Sequence, residues 1–109
     1  MFVQMKKFTV TEGNAHHLVE KFSQKGIIDE QPGIIDITVM VKKVRRGNEE
    51  VILQIRWESE QDWKNWEKSE AHIAGHKASR GKSKPEFILE TEGSLYHVET
   101  IKTPAIEAK

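Results

Sequence analysis

Trp63, Trp66, His72 and His76 crowd one short stretch of the chain, with Ser69 and the run Ile73-Ala74-Gly75 among them. An imidazole with small or apolar neighbours can face a dry cavity, where its neutral form binds iron well. His76 is therefore the leading ligand candidate. On local sequence alone, the ordinary reading is a half-exposed surface histidine. Trp66 and His76 stand ten residues apart. At about 100° per residue, ten helical residues end roughly 80° off the starting face, so one straight helix does not aim both at a common ligand. Ser69-Glu70 supplies a helix N-cap signal between them. A break at that point lets the two side chains converge.

Other constellations carry less. His72 and His76 at i, i+4 can chelate zinc from one helix face, but that needs a third ligand and no HExxH motif is present. His16-His17 fall on the polar side of an amphipathic stripe, and His97 sits in a strand pattern as a structural residue. Trp63 and Trp66 read most simply as anchors that pack a helix onto a sheet. Lys77, Arg80, Lys82 and Lys84 cluster beside His76. They are either a solvated loop or a clamp for the carboxylates of a ligand held by His76. No nucleophile triad, phosphate-cradling glycine loop or dinucleotide fingerprint is visible, and the chain has no cysteine.

The elements that must position these residues follow from periodicity. Phe2 to Val10 is a first strand, and Asn14 caps a helix whose stripe is Ala15, Leu18, Val19 and Phe22, stopped by Gly26. A second strand alternates Ile35, Ile37, Val39 and Val41 against Asp36, Thr38 and Lys42. Arg45-Arg46-Gly47-Asn48 turns the chain into a third strand with Val51, Leu53, Ile55 and Trp57 on one face. Ser59, with Asp62 three residues on, caps the next helical region. A loop at about 77–86 leads to a last strand from Phe87 to Ile101, interrupted near Thr91 to Ser94, with a loose tail at about 104–109.

The order β-α-β-β-α-β predicts a single α+β domain over residues 1–109 of ferredoxin-like design, one antiparallel sheet with its helices on one face. Ile34, Met40 and Ile52 lie on the more polar faces of the middle strands, which predicts that the bare sheet face is covered by a second copy, forming a dimeric α/β-barrel. A chain of 109 residues buries a modest share of its surface and gains from such a partner.

Composition narrows the partners. Apolar residues make up 37% and charged residues 31%, a globular balance. Lys plus Arg and Asp plus Glu are 17 each, which argues against nucleic acid and against attraction to an acidic membrane. With no apolar run of spanning length and no signal-peptide pattern at Met1 to Lys7, the expected location is the cytoplasm.

Most of the chain resembles the IsdG-type haem-degrading monooxygenases of the antibiotic-biosynthesis-monooxygenase superfamily, the bacillus members above all. The likeness is strongest in Phe8-Thr9-Val10-Thr11-Glu12-Gly13-Asn14-Ala15 and in Trp66-Glu67-Lys68-Ser69-Glu70-Ala71-His72-Ile73-Ala74-Gly75-His76. The resemblance implies that His76 ligates haem iron and that Trp66 presses on the haem and distorts it. The family's first-strand asparagine, which hydrogen-bonds near the distal ligand, falls on Lys6, with Gln4 on the same strand face as the other candidate. Lysine is a longer, charged donor with no acceptor, so the departure bears on distal chemistry and product more than on haem binding. Lys77 and Arg80 are then the cations nearest the bound group. The implied reaction opens haem oxidatively and releases iron, using O2, an external electron donor and a reductase partner. Two rivals are a cofactor-free monooxygenase of the same superfamily acting on an aromatic or quinone-like molecule, and a ligand-binding dimer without catalysis.

Overall fold

A computed structural model describes residues 1–79 and 84–104. Four strands form one antiparallel sheet in the order β2-β3-β1-β4, from β1 (Phe2–Val10), β2 (Ile34–Val41), β3 (Glu49–Trp57) and β4 (Ile88–His97). Between them run α1 (Ala15–Ser23), a 3-10 turn (Ile27–Glu30), α2 (Glu60–Lys68) and α3 (Glu70–Ser79). This is the ferredoxin-like arrangement the sequence predicts, with the second helical region divided in two. Among the described residues no helix is long and apolar enough to cross a membrane.

The register sorts the sheet into rows that cross all four strands. On the helix-covered face these are Ile34-Trp57-Phe2-His97, Ile37-Ile55-Gln4-Leu95, Val39-Leu53-Lys6-Gly93 and Val41-Val51-Phe8-Thr91. Phe2, Phe8, Val10, Val51, Leu53, Ile55 and Trp57 are buried there with Ala15 and Leu18 of α1. The middle of β1 departs from this apolar pattern, since Gln4 and Lys6 lie between Phe2 and Phe8 on the same face. On the bare face the rows are Asp36-Arg56-Val3-Tyr96, Thr38-Gln54-Met5-Ser94 and Met40-Ile52-Lys7-Glu92. Apolar Met40, Ile52 and Met5 alternate there with two ion pairs, Arg56 with Asp36 and Lys7 Nζ with Glu92 Oε2 at 3.2 Å.

Local details correct several expectations. α1 ends at Gln24 in extended conformation, and Gly26 instead opens the 3-10 turn, where its N–H donates to Asp29 Oδ2 at 3.0 Å. Asn14 occupies the N-cap position but its amide donates to Thr11 Oγ1 at 2.7 Å, and the first helical N–H, of Ala15, is satisfied by Glu49 Oε1 of β3 at 2.9 Å. An irregularity between Ile34 and Asp36 turns Ile34 toward the core and leaves Ile35 exposed, so Ile35 does not join the buried row and Ile34 does not add to the bare face. The bulge in β4 lies at its start, between the partners of Thr9 and Val10, instead of at Thr91 to Ser94, and the strand ends at His97 before the expected Ile101. Lys77 to Ser79 complete α3, so the connection at about 77–86 begins later. Arg80 and Lys82, and the tail from residue 105, lie outside the described residues.

The entry to α2 is tightly fixed. Ser59 Oγ accepts from the Asp62 N–H at 3.2 Å and donates to Asp62 Oδ2 at 2.8 Å, which caps the helix. Glu58 N–H donates to Gly33 O at 2.8 Å, tying the end of β3 to the turn before β2. Gly33 has φ +84° and leaves space that the Asp62 side chain fills.

Candidate functional site

Ser69 separates α2 from α3. Its backbone is extended (φ −68°, ψ 150°), its N–H and Oγ both donate to Trp66 O, and its Oγ accepts from His72 N–H at 3.1 Å. One serine thus ends the first helix and caps the second, and the break expected between Trp66 and His76 is present.

Across that break the side chains form a chain of contacts. Trp66 is half-buried against the core, and its ring meets the His72 ring at 4.9 Å with a 66° tilt. His72, one turn before His76, meets it at 4.4 Å between centroids, with the two Nε2 atoms 3.0 Å apart. Glu67 Oε2 lies 3.2 Å from His72 Nε2. Burial pulls the His72 imidazole below its usual pKa; the Glu67 carboxylate opposes this, and the nearby His76 and Lys6 reinforce it. His76 itself is exposed at the outer face of α3, and Lys77 is exposed in the same last turn.

Beneath the helices, a cleft of about 400 Å³ opens between β1, β4 and α2. Gln4, Lys6, Trp63, Gly93 and Leu95 line it, and among the described residues its lining carries no carboxylate. Trp63 also packs on Phe2 at 5.2 Å, yet its Nε1–H is buried without a hydrogen-bond partner. Lys6, unlike its neighbour Lys7, makes no ion pair among the described residues. Lys6 and Gln4 both face this cleft. A larger hollow of about 540 Å³ lies at the opposite sheet edge between α1 and β2, but its lining holds neither imidazole nor indole.

The structure therefore groups Trp66 and His76 through His72, sets Lys6 and Gln4 below them, and places Lys77 on the exposed side. Arg80 lies outside the described residues. Three contributors escaped the sequence reading. His72 is the bridge between tryptophan and histidine, and its i, i+4 spacing to His76 was the available signal. Trp63 walls the cleft as well as the core. Gly93, a glycine inside a strand opposite Lys6, leaves open space there, with nothing within 4 Å of where a Cβ would stand.

A cleft walled by Trp63 and Leu95, with a lysine and an amide side chain in its lining, suits a largely apolar, anionic ligand. Known proteins resemble this chain over most of its length. The antibiotic biosynthesis monooxygenase pattern matches residues 1–78. The chain is 60% identical over 102 residues, 94% of either protein, to the heme-degrading monooxygenase HmoA of Bacillus subtilis (strain 168). It is similar also to a solved Bacillus cereus protein described as an antibiotic biosynthesis monooxygenase, at 46% identity and TM-score 0.85, covering 97% of this chain and 98% of that one. The heme degrader MhuD of Mycobacterium tuberculosis, solved with two hemes in its active site, shares the fold at TM-score 0.66 and 14% identity, over 94% of this chain and all of that one. By the extent of the family match and the similarity to its relatives, the chain belongs to the antibiotic biosynthesis monooxygenase family.

Proposed function

We propose that this protein is a haem-degrading monooxygenase in which His76 is the axial ligand of the haem iron. The observation that carries the reading is the 60% identity, across 94% of both chains, to a heme-degrading monooxygenase. The local geometry supports it, because Trp66, His72 and His76 are brought together by the break at Ser69.

Haem is the substrate, and when bound it would supply the oxygen-activating chemistry, with electrons from an external donor by way of a reductase. The chain's own residues bind, orient and exclude water. His76, exposed on α3, would hold the iron, and Trp66, half-buried against the core, would wall the macrocycle. Lys6, with Gln4 beside it, offers hydrogen-bond donors from the sheet side. Lys77 and Arg80 provide positive charge for the propionates at the exposed edge. The protein acts in the cytoplasm as a homodimer, joined through the bare sheet face.

The test is a ferric haem titration followed by addition of a reductant in air. Appearance of a Soret band and its decay support the reading, with both lost in His76→Ala. Stable haem binding without decay favours the non-catalytic dimer, and absence of binding favours a cofactor-free monooxygenase.

A further inference from the structure

His72 and His76 stand one turn apart on α3, and their Nε2 atoms lie 3.0 Å from each other. Two imidazole nitrogens bound to one zinc-class ion, each at about 2.1 Å, stand roughly 3.0–3.4 Å apart. The pair therefore already has the bite of a chelate. The i, i+4 spacing puts both side chains on one helix face. Ser69 caps the first turn of α3 through the His72 N–H, and the Trp66 ring meets the His72 ring at 4.9 Å. Glu67 Oε2, 3.2 Å from His72 Nε2, brings negative charge to the same spot. His76 is exposed, so an ion reaches the pair from solvent.

We propose that His72 and His76 form a two-imidazole chelate for a divalent transition ion of the zinc class in the haem-free protein. Among the described residues no group of three ligating side chains converges, so water completes the coordination. A closed structural zinc site needs four protein ligands, whereas an open, exchangeable one does not. Imidazole nitrogen selects zinc, copper and nickel over magnesium and calcium, which prefer oxygen. The consequence for haem rests on the reading of His76 as its iron ligand. An imidazole nitrogen taken by the ion is closed to the iron, so ion and haem exclude one another at α3. A zinc-class ion then competes with haem for the empty protein.

The first test needs no haem. Calorimetric titration of the haem-free protein with Zn2+ is expected to saturate at one ion per chain. His72→Gln and His76→Gln are each expected to weaken binding tenfold or more, while the double variant His16→Gln, His17→Gln leaves it unchanged. Electron paramagnetic resonance of the wild-type protein with one equivalent of Cu2+, which needs no variant, is expected to show coupling to two imidazole nitrogens. Absence of Zn2+ binding, unchanged affinity in His72→Gln, or loss of binding in the His16, His17 variant instead overturns the chelate. The second test is competition. Saturating Zn2+ is expected to raise the apparent haem dissociation constant at least tenfold in the wild-type protein. Haem binding indifferent to Zn2+, although His76→Ala abolishes it, overturns the exclusion. Failure of the haem reading shows separately, as a haem spectrum unaffected by His76→Ala while Zn2+ still requires both histidines.

Discussion

Lys6 lies directly opposite Gly93 across the β1–β4 ladder, in the row that Leu53 and Val39 complete. The lysine therefore points into the helix-covered side of the sheet beside a position with no side chain. A Cβ built on Gly93 meets nothing within 4 Å, so a larger residue fits the fold but narrows the cleft. Gly93→Val is expected to leave urea stability essentially unchanged while weakening haem binding about tenfold, roughly 1.4 kcal/mol. Lys6→Ala is expected to retain the Soret band and alter turnover or product. Unchanged affinity in Gly93→Val, measured by titration, would place the ligand elsewhere.

Gly33→Ala tests the junction of β2 with α2. The position has φ +84°, and an added Cβ lies 2.2 Å from Asp62 Cγ. Positive φ costs a non-glycine residue about 1 kcal/mol, and displacing a capping aspartate adds about 1 kcal/mol more. The expected loss of about 2 kcal/mol should appear as a lower denaturant midpoint with an unchanged slope. A smaller residue at Asp62 should relieve part of it.

His76→Ala and Trp66→Ala should separate by what they abolish. With His76 as the proposed iron ligand, removing its imidazole is expected to lower haem affinity and degradation together. Removing the indole takes away a wall, so haem still binds while turnover drops by about tenfold or more, the scale of a lost positioning contact. Spectral titration with single-turnover decay distinguishes the two. Degradation at the normal rate in Trp66→Ala would return Trp66 to a purely structural role.

The bare sheet face predicts a dimer. Met40 and Ile52 stand side by side on it, flanked by the two ion pairs. Ile52→Asp puts a carboxylate in the middle of that row and is expected to raise the dimer dissociation constant by about a hundredfold or more, near 3 kcal/mol. Sedimentation of the wild-type and variant proteins at micromolar concentration checks this. A wild-type monomer under those conditions rules the arrangement out.

Acid should loosen the same face. The Arg56 guanidinium donates to Asp36 from Nε at 2.7 Å and holds the Asp36 carboxyl below its ordinary value of 3.8, against a smaller opposing effect of burial. Because the folded value is the lower one, the pair's contribution is complete above the unfolded value and is lost as pH falls through the folded value. Both side chains are about one-third exposed or more, so solvent screening keeps the effect small. Asp36→Asn should reduce the slope of stability against pH below about pH 4 and leave it unaltered near neutrality.

What could be read in advance was whatever depends on near neighbours in the chain. Ser59 and Ser69 announced helix starts because a cap needs only the next three residues. Period-two alternation put Gln4 and Lys6 on a common face, and the structure turns that face toward the helices. Two of the misreadings involve partners distant in sequence. Ile35 alternates correctly with Ile37, but pairing with β3 shifts the register there and reverses its direction. The α1 N-terminus is satisfied by Glu49 from another strand, which Asn14 alone could not reveal. Lys77 to Ser79 stay helical although Gly81, Ser83 and Pro85 follow soon after in the sequence. The candidate site was legible as two residues with a gap, while His72, which fills the gap, was weighed only as a zinc ligand.

Ser69 also bears on how such a site can change over generations. Because α2 and α3 meet at one extended residue, the wall and the ligand sit on separate short rods. Their mutual angle is set by two backbone torsions and three hydrogen bonds instead of by the registry of a long helix. A replacement at this hinge re-aims the ligand without repacking the core beneath the wall. A change at this corner of the chain can therefore alter the angle between Trp66 and His76 while the sheet stays as it is.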